Sequence, residues 1–270
     1  MSPRVGWVER SATHHTSRRW VTAPVGASTH PTHTFDRLKN VGNRVTPGVA
    51  NIIRPMGEAQ RAGELVVLVH GLWMTGPAWL PLAWRLRRQG LRVTVFSYPS
   101  ARQGLEASAR ALQAFVLAQS AQRLHFVGHS QGGLVILRML RDAPQLAVGR
   151  VVLLGSPAAG SRAVEQLGRT RFGRWLRGAA LPQWRPEHAE PVLRRVEVGG
   201  IAGTRRFGLA ALVVRLPLPN DGAVTVDETR LPGLADHLVL PVSHTGLIVS
   251  RRVADATGVF LREGRFAPRR

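Results

Sequence analysis

The sequence predicts an α/β fold in which a mostly parallel central sheet is flanked by helices. Short, continuous apolar runs such as "ELVVLV" (Glu64–Val69) are typical of strands that are covered on both faces. These runs alternate with stretches that repeat apolar residues at helical spacing, and this alternation indicates βαβ units. With 270 residues, 44% of them hydrophobic, the chain can bury one principal core.

Each further element has its own pattern. The helix after the first strand would place Trp79, Leu82 and Leu86 on one side and stop at Gly90. Apolar runs predict the later strands "LRVTVFSY", "RLHFVG", "GRVVLLGSP", "LRRVEVGGIAG" and "DHLVLPVS". Helical spacing predicts the helices "GLEASARALQAFVLAQS", "GGLVILRMLRDAP" and "HTGLIVSRRVADATGVFLREG".

Two regions depart from this rhythm. Residues 1–61 have no sustained period, so we expect a poorly ordered extension before a domain over residues 62–270. We also expect the functional protein to start near Met56. A chain that begins at Met56 and loses its fold or activity would refute this hypothesis. Residues 158–191 set tryptophans and leucines among arginines without the pattern of one crossover helix, which predicts an inserted cap or lid.

The composition excludes several kinds of chemistry. The chain has no cysteine, which rules out disulfides, thiol catalysis and Cys-containing metal sites. The N-terminal histidines have irregular spacing and no carboxylate cluster beside them, so we predict no metal site there. They are His14, His15, His30 and His33.

The chain is strongly basic, with 37 Lys and Arg against 16 Asp and Glu. Such a charge could attract nucleic acid or anionic lipid. Lys39 is the only lysine, so the excess comes from arginines, which are scattered without an aromatic-interleaved nucleic-acid motif. We therefore expect no nucleic-acid partner and leave membrane-surface contact open.

The N-terminus does not predict export. "MSPRVGWVERSATHH" is basic, but no apolar stretch follows it, so we expect a cytoplasmic location. The most apolar window, "LVVLVHGLWMTGPAWLPLAW", contains His70, Thr75 and two prolines. It therefore indicates a strand, a loop and a helix start rather than a membrane span.

The stretch "FVGHSQGGLVI" points to a nucleophile. "GHSQG" fits the pattern G-x-S-x-G, with a predicted strand before it and a predicted helix after it. Gly128 and Gly132 would let the flanking backbone approach closely at a sharp, strained turn. Ser130 would then project above the sheet at a helix N-terminus, where N–H groups favour developing negative charge. We predict that Ser130 is a nucleophile rather than part of an ordinary glycine-rich turn.

A serine nucleophile needs a histidine to accept its proton. His244 follows the last predicted strand in a loop before a helix, where it can reach over the carboxyl edge of the sheet. We predict that His244 is the general base, with a structural or surface histidine as the alternative. The other histidines of the domain fit a structural or lid position better: His125, His129, His188 and His237.

The third group is a carboxylate that orients the histidine. The chain order Ser…Asp/Glu…His confines it to residues between Ser130 and His244. Asp221 lies in the tight loop "LPNDGAV", where turn N–H groups can fix a carboxylate, although an ordinary Asp-Gly turn would look the same. The remaining competitors are Asp227, Glu228 and Asp236.

An oxyanion intermediate needs two N–H donors. The backbone N–H of Gln131, the residue after the nucleophile, is the first predicted donor. The loop "HGLW" after the first strand would supply the second from Leu72, with His70 and Gly71 shaping the loop.

Together these motifs resemble the α/β-hydrolase superfamily, and specifically its lipase and esterase branch, which includes bacterial lipase-like proteins related to the GPI inositol-deacylase group. The resemblance covers about Glu64–Arg262 and is carried by "LVVLVHGLW", "FVGHSQGG", "VVLLGSPAAGS", "PNDGAVTVDETRLPG" and "LPVSHTG". It implies the α/β-hydrolase fold, with Ser130, Asp221 and His244 as the triad and Leu72 and Gln131 as the oxyanion donors. The chain departs from secreted lipases in having no recognisable signal sequence.

The expected function is hydrolysis of a carboxylic ester through an acyl-enzyme, with no metal or organic cofactor. A small-molecule or lipid ester is the expected substrate, and the tryptophans of the lid favour an acyl or aromatic group. A triad does not identify the leaving group, so a thioesterase, an amidase and an acyltransferase remain alternatives. A catalytically silent basic binding module is the alternative from a different class.

Overall fold

The computed structural model describes residues 63–176, 178–208, 211 and 214–266, and the expected extension over residues 1–61 lies outside them. The centre of the described chain is a six-stranded sheet with the order β2-β1-β3-β4-β5-β6, and all of its neighbouring strands are parallel. The strands are β1 (Glu64–Val69), β2 (Val93–Phe96), β3 (Arg123–His129), β4 (Val148–Leu154), β5 (Glu197–Gly203) and β6 (Asp236–Leu240). The predicted α/β fold with a parallel sheet is confirmed.

The continuous apolar strands arise because helices cover both faces of the sheet. Val67 and Val69 of β1 enter one hydrophobic core, whereas Val66 and Leu68 enter a second core on the opposite face. Successive side chains of a strand point to opposite faces, so a strand between two cores must be apolar at every position.

Three longer helices follow the first three strands. Helix α1 (Leu80–Arg88) packs into the second core, and a 3-10 turn at Gly76–Trp79 directly precedes it in the chain. Helices α2 (Leu105–Leu117) and α3 (Gln131–Asp142) pack into the first core. Among the described residues, no helix is both long and apolar enough to cross a membrane.

Several elements differ in extent from the sequence prediction. Strand β5 begins at Glu197, after the predicted "LRRV", and β6 ends at Leu240, before the predicted "PVS". The predicted closing helix is two helices, Gly246–Val249 and Arg251–Glu263, because Ser250 takes an extended conformation (ψ 131°) between them. Strand β2 ends at Phe96, short of the predicted "SY". Tyr98 lies outside the strand, and its N–H bonds instead to the ring of His70.

Short helices fill the segment between β4 and β5 where the sequence predicts a cap or lid. Trp184 anchors this segment: its side chain is buried, and its Nε1 donates to the Ala158 carbonyl at 2.9 Å. The ring of Trp175 lies 4.7 Å from the ring of Trp73, between centroids, so the segment contacts the loop after β1. Its helices are Arg162–Leu167, Arg171–Leu176 and Glu190–Leu193, with 3-10 turns at Leu181–Gln183 and Pro186–His188. Its action as a lid stays a prediction.

Candidate active site

Ser130 lies at the sharp turn between β3 and α3. Its backbone has φ 52° and ψ −123°, and only one other described non-glycine residue, Trp73, has a positive φ. A conformation of this kind is strained and persists only where the surroundings hold it. Here the Ser130 N–H donates to the Leu154 carbonyl at 2.9 Å, and the Gly133 N–H donates to the Ser130 carbonyl at 3.1 Å. The turn therefore fixes the direction of the serine side chain.

Glycines around Ser130 allow this turn to pack. A Cβ atom on Gly132 would overlap the Val69 carbonyl oxygen, and one on Gly128 would overlap the backbone of Gly133. A Cβ atom on Gly133 would overlap the Ser156 hydroxyl group, so this glycine lets α3 lie close to the loop after β4. Gly128 and Gly132 are thus required by close backbone contacts, and Gly133 by the side chain of Ser156.

His244 and Asp221 form a close pair at the same edge of the sheet. The distance from His244 Nδ1 to Asp221 Oδ2 is 2.7 Å, and the His244 N–H donates to the Asp221 carbonyl at 2.9 Å. The second carboxylate oxygen, Oδ1, accepts from the N–H groups of Ala223 (2.9 Å) and Val224 (2.8 Å). Asp221 is 1% exposed. The Asp-Gly turn therefore holds one oxygen of the carboxylate and leaves the other for the histidine.

The charge of Asp221 decides which ring nitrogen of His244 carries the proton. Burial by itself would raise the pKa of Asp221, but the charge of His244 and the hydrogen bonds that the carboxylate accepts outweigh it, so the pKa lies below its usual value. Asp221 is therefore ionised at neutral pH and accepts the Nδ1 proton of His244. This tautomer leaves Nε2 of His244 as the proton acceptor.

Two glycines that were not predicted from the sequence make room for Asp221 and His244. A Cβ atom on Gly155, directly after β4, would lie 3.1 Å from Asp221 Oδ2 and 3.2 Å from His244 Nδ1. Gly203, the last residue of β5, lies against the Asp221 Cβ atom and the Val242 carbonyl. In the sequence, the feature that marks both glycines is their position at the carboxyl end of a predicted strand.

His129 connects the serine turn to the loop that carries His244. Its Nε2 lies 3.0 Å from the His244 carbonyl oxygen, and the two rings are 4.5 Å apart between centroids. Burial, reinforced by the charge of His244, lowers the pKa of His129 to about 3, so the ring is neutral and Nε2 carries the proton that it donates. The sequence favours a structural role for His129, and these contacts make it a support of the His244 backbone.

The loop after β1 reaches the nucleophile. A Cβ atom on Gly71 would lie 3.0 Å from the Ser130 Cβ atom. Leu72 follows in a turn that the Met74 N–H closes onto the Gly71 carbonyl at 3.4 Å. Gln131 is the first residue of α3, where N–H groups have no acceptor within the helix. Of the two predicted oxyanion donors, Gln131 therefore follows Ser130 directly in the chain, and Leu72 follows the glycine that lies against Ser130.

The competing carboxylates are engaged elsewhere. Glu228 is buried and accepts from the N–H groups of Thr225 (2.7 Å) and Arg162 (2.5 Å). Asp236 accepts from the His237 and Phe266 N–H groups, and Asp227 is exposed. In the described part of the chain, Asp221 is the carboxylate that meets His244. The structure gathers no cluster of three or more metal-binding side chains among its described residues.

Comparison with known proteins gives the same fold. The model of the alpha/beta hydrolase family matches residues 66–262. The structure resembles the mature lipase of Bacillus licheniformis, with a TM-score of 0.60 and 20% identity over 78% of this chain and 96% of that one. It also resembles a metagenomic carboxyl esterase, with a TM-score of 0.56 and 20% identity over 81% and 78% of the two chains. No curated protein sequence matches this chain.

Proposed function

The chain belongs to the alpha/beta hydrolase family, and we propose that it is a serine hydrolase that cleaves carboxylic esters. The observation that carries this proposal is the 2.7 Å contact between His244 and the buried Asp221, in a loop that His129 joins to the strained turn of Ser130. A hydroxyl nucleophile, a histidine base and an orienting carboxylate are the groups that acyl transfer requires. The resemblance to a lipase and a carboxyl esterase favours an ester as the substrate.

The proposed reaction begins with proton transfer. Nε2 of His244 takes the hydroxyl proton of Ser130 while Oγ attacks the ester carbonyl carbon, and the carbonyl π electrons move onto the oxygen. The N–H groups of Leu72 and Gln131 stabilise that oxyanion. His244 then protonates the leaving alcohol and afterwards activates the water that hydrolyses the acyl-enzyme. Asp221 stays ionised and holds the imidazolium in place.

Two exposed tryptophans, one in the loop after β1 and one in the segment between β4 and β5, favour an acyl or aromatic substrate. Trp73 directly follows Leu72 and is 49% exposed, and its neighbour Trp175 is 60% exposed. Their rings would supply an apolar surface to a small-molecule or lipid ester. Contact with a membrane surface and a cytoplasmic location remain predictions from the sequence.

A panel of aryl esters of increasing acyl length tests the proposal. We expect Ser130→Ala to lower kcat by about 10³-fold or more, because alanine has no hydroxyl group to form the acyl-enzyme, and to leave the melting temperature unchanged. Ser156→Ala is the matched control, since this serine is buried after β4 and its hydroxyl has no hydrogen-bond partner among the described residues. It should retain activity.

Two results would contradict the proposal. Full activity in Ser130→Ala would remove Ser130 from the chemistry. A folded wild-type protein that cleaves no ester, thioester or amide would favour the silent binding module. Cleavage of thioesters or amides far better than esters would instead keep the triad and change the substrate class.

A further inference from the structure

We propose that Tyr98 is a positioning residue that ties together the two halves of the oxyanion hole. One half is the loop that carries Leu72, and the other is the start of α3 at Gln131. The inference rests on the proposed function, because it assigns a task to a residue beside the reacting groups.

Tyr98 holds the first half through His70. Its hydroxyl group donates to the His70 carbonyl at 3.0 Å, and its backbone N–H donates to His70 Nε2 at 3.2 Å. The two rings stack at 4.7 Å between centroids. Nδ1 of His70 in turn donates to the Gly71 carbonyl at 3.0 Å. Tyr98, the only tyrosine in the chain, therefore holds both the carbonyl and the ring of His70, and His70 in turn holds the Gly71 carbonyl next to Leu72.

The same hydroxyl group meets the second half. Gln131 Nε2 donates to the Tyr98 oxygen at 3.4 Å and to the Ser100 carbonyl at 3.0 Å. Gln131 is fully buried, so its side chain lies away from bulk solvent. A phenol hydroxyl can donate one hydrogen bond and accept another at the same time. Burial raises the pKa of Tyr98 despite the opposing bond from Gln131, so the hydroxyl keeps the proton it donates.

The loop that carries Leu72 needs a restraint from outside, because it contains a strained residue. Trp73, directly after Leu72, has φ 59°, a conformation that a non-glycine residue keeps only under external constraint. Oxyanion donors act only when they lie at hydrogen-bond distance from the developing charge. Among the described contacts of Tyr98, none reaches Asp221 or His244. We therefore expect Tyr98 to affect the binding of the oxyanion and not the proton transfer that His244 performs.

Tyr98→Phe isolates this effect, because it keeps the stacked ring and removes both hydroxyl hydrogen bonds. We expect kcat for an aryl ester to fall about 10- to 100-fold, with KM changed less than about twofold. The inhibition constant of an aryl trifluoromethyl ketone, which forms a tetrahedral oxyanion on the serine, should rise by the same factor as kcat/KM falls. The pH profile of kcat/KM should keep its shape.

Ser108→Ala is the matched control for the loss of a buried hydroxyl. Ser108 is buried and donates to the carbonyl of Gly104, the residue before α2, at 2.9 Å, and it lies outside the loop that carries Leu72. It should lower the melting temperature without changing the ratio of ketone to substrate affinity. If Tyr98 were purely structural, Tyr98→Phe would likewise lower only the melting temperature and leave the ratio of ketone to substrate affinity unchanged. That result would overturn the inference.

Gln131→Leu provides a second test, because it removes the other end of the link and keeps the backbone N–H. We expect the same loss of kcat and ketone affinity. The double variant, Tyr98→Phe with Gln131→Leu, should lose little more kcat than the less active single variant, because both substitutions break the same link. Fully additive losses, or an active Tyr98→Phe with unchanged ketone affinity, would overturn the inference alone. A folded wild-type protein without hydrolase activity would overturn the proposed function, and the inference with it.

Discussion

Asp221 combines two roles that the sequence presented as alternatives. The N–H groups of Ala223 and Val224 form the ordinary Asp-Gly turn, and they bind Oδ1 only. Oδ2 remains free for His244. A local pattern could predict the turn, but the second contact depends on a residue 23 positions later, so the sequence alone could not separate a turn from an acid.

Asp221→Asn should keep this turn and lose the charge. An amide at this position can donate to His244 Nδ1 and so favours the wrong tautomer, and the imidazolium loses its anionic partner. We expect kcat for aryl esters to fall about 10³- to 10⁴-fold with little change in KM. Asp227→Asn, an exposed carboxylate six residues away, is the matched control and should keep full activity. Near wild-type kcat in Asp221→Asn would remove the carboxylate from the mechanism.

At the scale of secondary-structure elements, the turn between β3 and α3 depends on missing side chains. Gly132→Ala would drive a Cβ atom into the Val69 carbonyl oxygen, which is backbone and cannot move aside. We expect this variant to lower the free energy of unfolding by about 1–3 kcal/mol or more, as urea titration would measure.

Gly76→Ala serves as the control for that substitution. A Cβ atom there would meet its nearest neighbours, side-chain atoms of Ser97 and Val95, at 3.6 Å, an ordinary contact. The stability of Gly76→Ala should stay close to that of the wild type. Equal stability of the two variants would show that the turn has more room than the structure gives it.

The sequence predicted strands such as β1 well, because side chains on both of its faces enter a hydrophobic core and the strand is therefore continuously apolar. It failed where a distant residue decides the conformation. Strand β2 stops early, and Tyr98 beyond it bonds to His70, 28 residues away, which no local period reveals. Gly155 and Gly203 acquire their importance only because β4 and β5 bring them beside Asp221.

At the scale of the whole molecule, the order of the sheet assembles the site. The neighbouring strands β1, β3, β4, β5 and β6 lie side by side and parallel. The loops after them therefore bring Leu72, Ser130, Gly155, Asp221 and His244 to one edge. This explains why separate short motifs could predict a joint site once the strands had been assigned. Their roles remain predictions until they are tested in the protein.

Buried histidines should make the fold sensitive to mild acid. The pKa of His129 is lowered from 6.5 to about 3, and burial lowers the pKa of His70 as well. The unfolded chain therefore binds more protons than the folded one between these values. Stability should be full above pH 6.5 and decline as the pH falls towards 3, with ionised Asp221 adding to the loss at the acid end.

His129→Gln tests this dependence. Glutamine cannot titrate, but its amide can still donate to the His244 carbonyl. We expect the free energy of unfolding, measured by urea titration from pH 7 to pH 4, to decline less steeply than in the wild type. An unchanged slope would mean that His129 does not take up a proton on unfolding in this range.

The most direct test of the central claim is to label the folded protein with a fluorophosphonate and locate the adduct by mass spectrometry. Trypsin should release the peptide Leu124–Arg138, in which Ser130 is the only serine. We predict one adduct, on this peptide, and none in Ser130→Ala. An adduct that survives Ser130→Ala, or a folded wild-type protein that takes up no label, would contradict the assignment of Ser130 as the nucleophile.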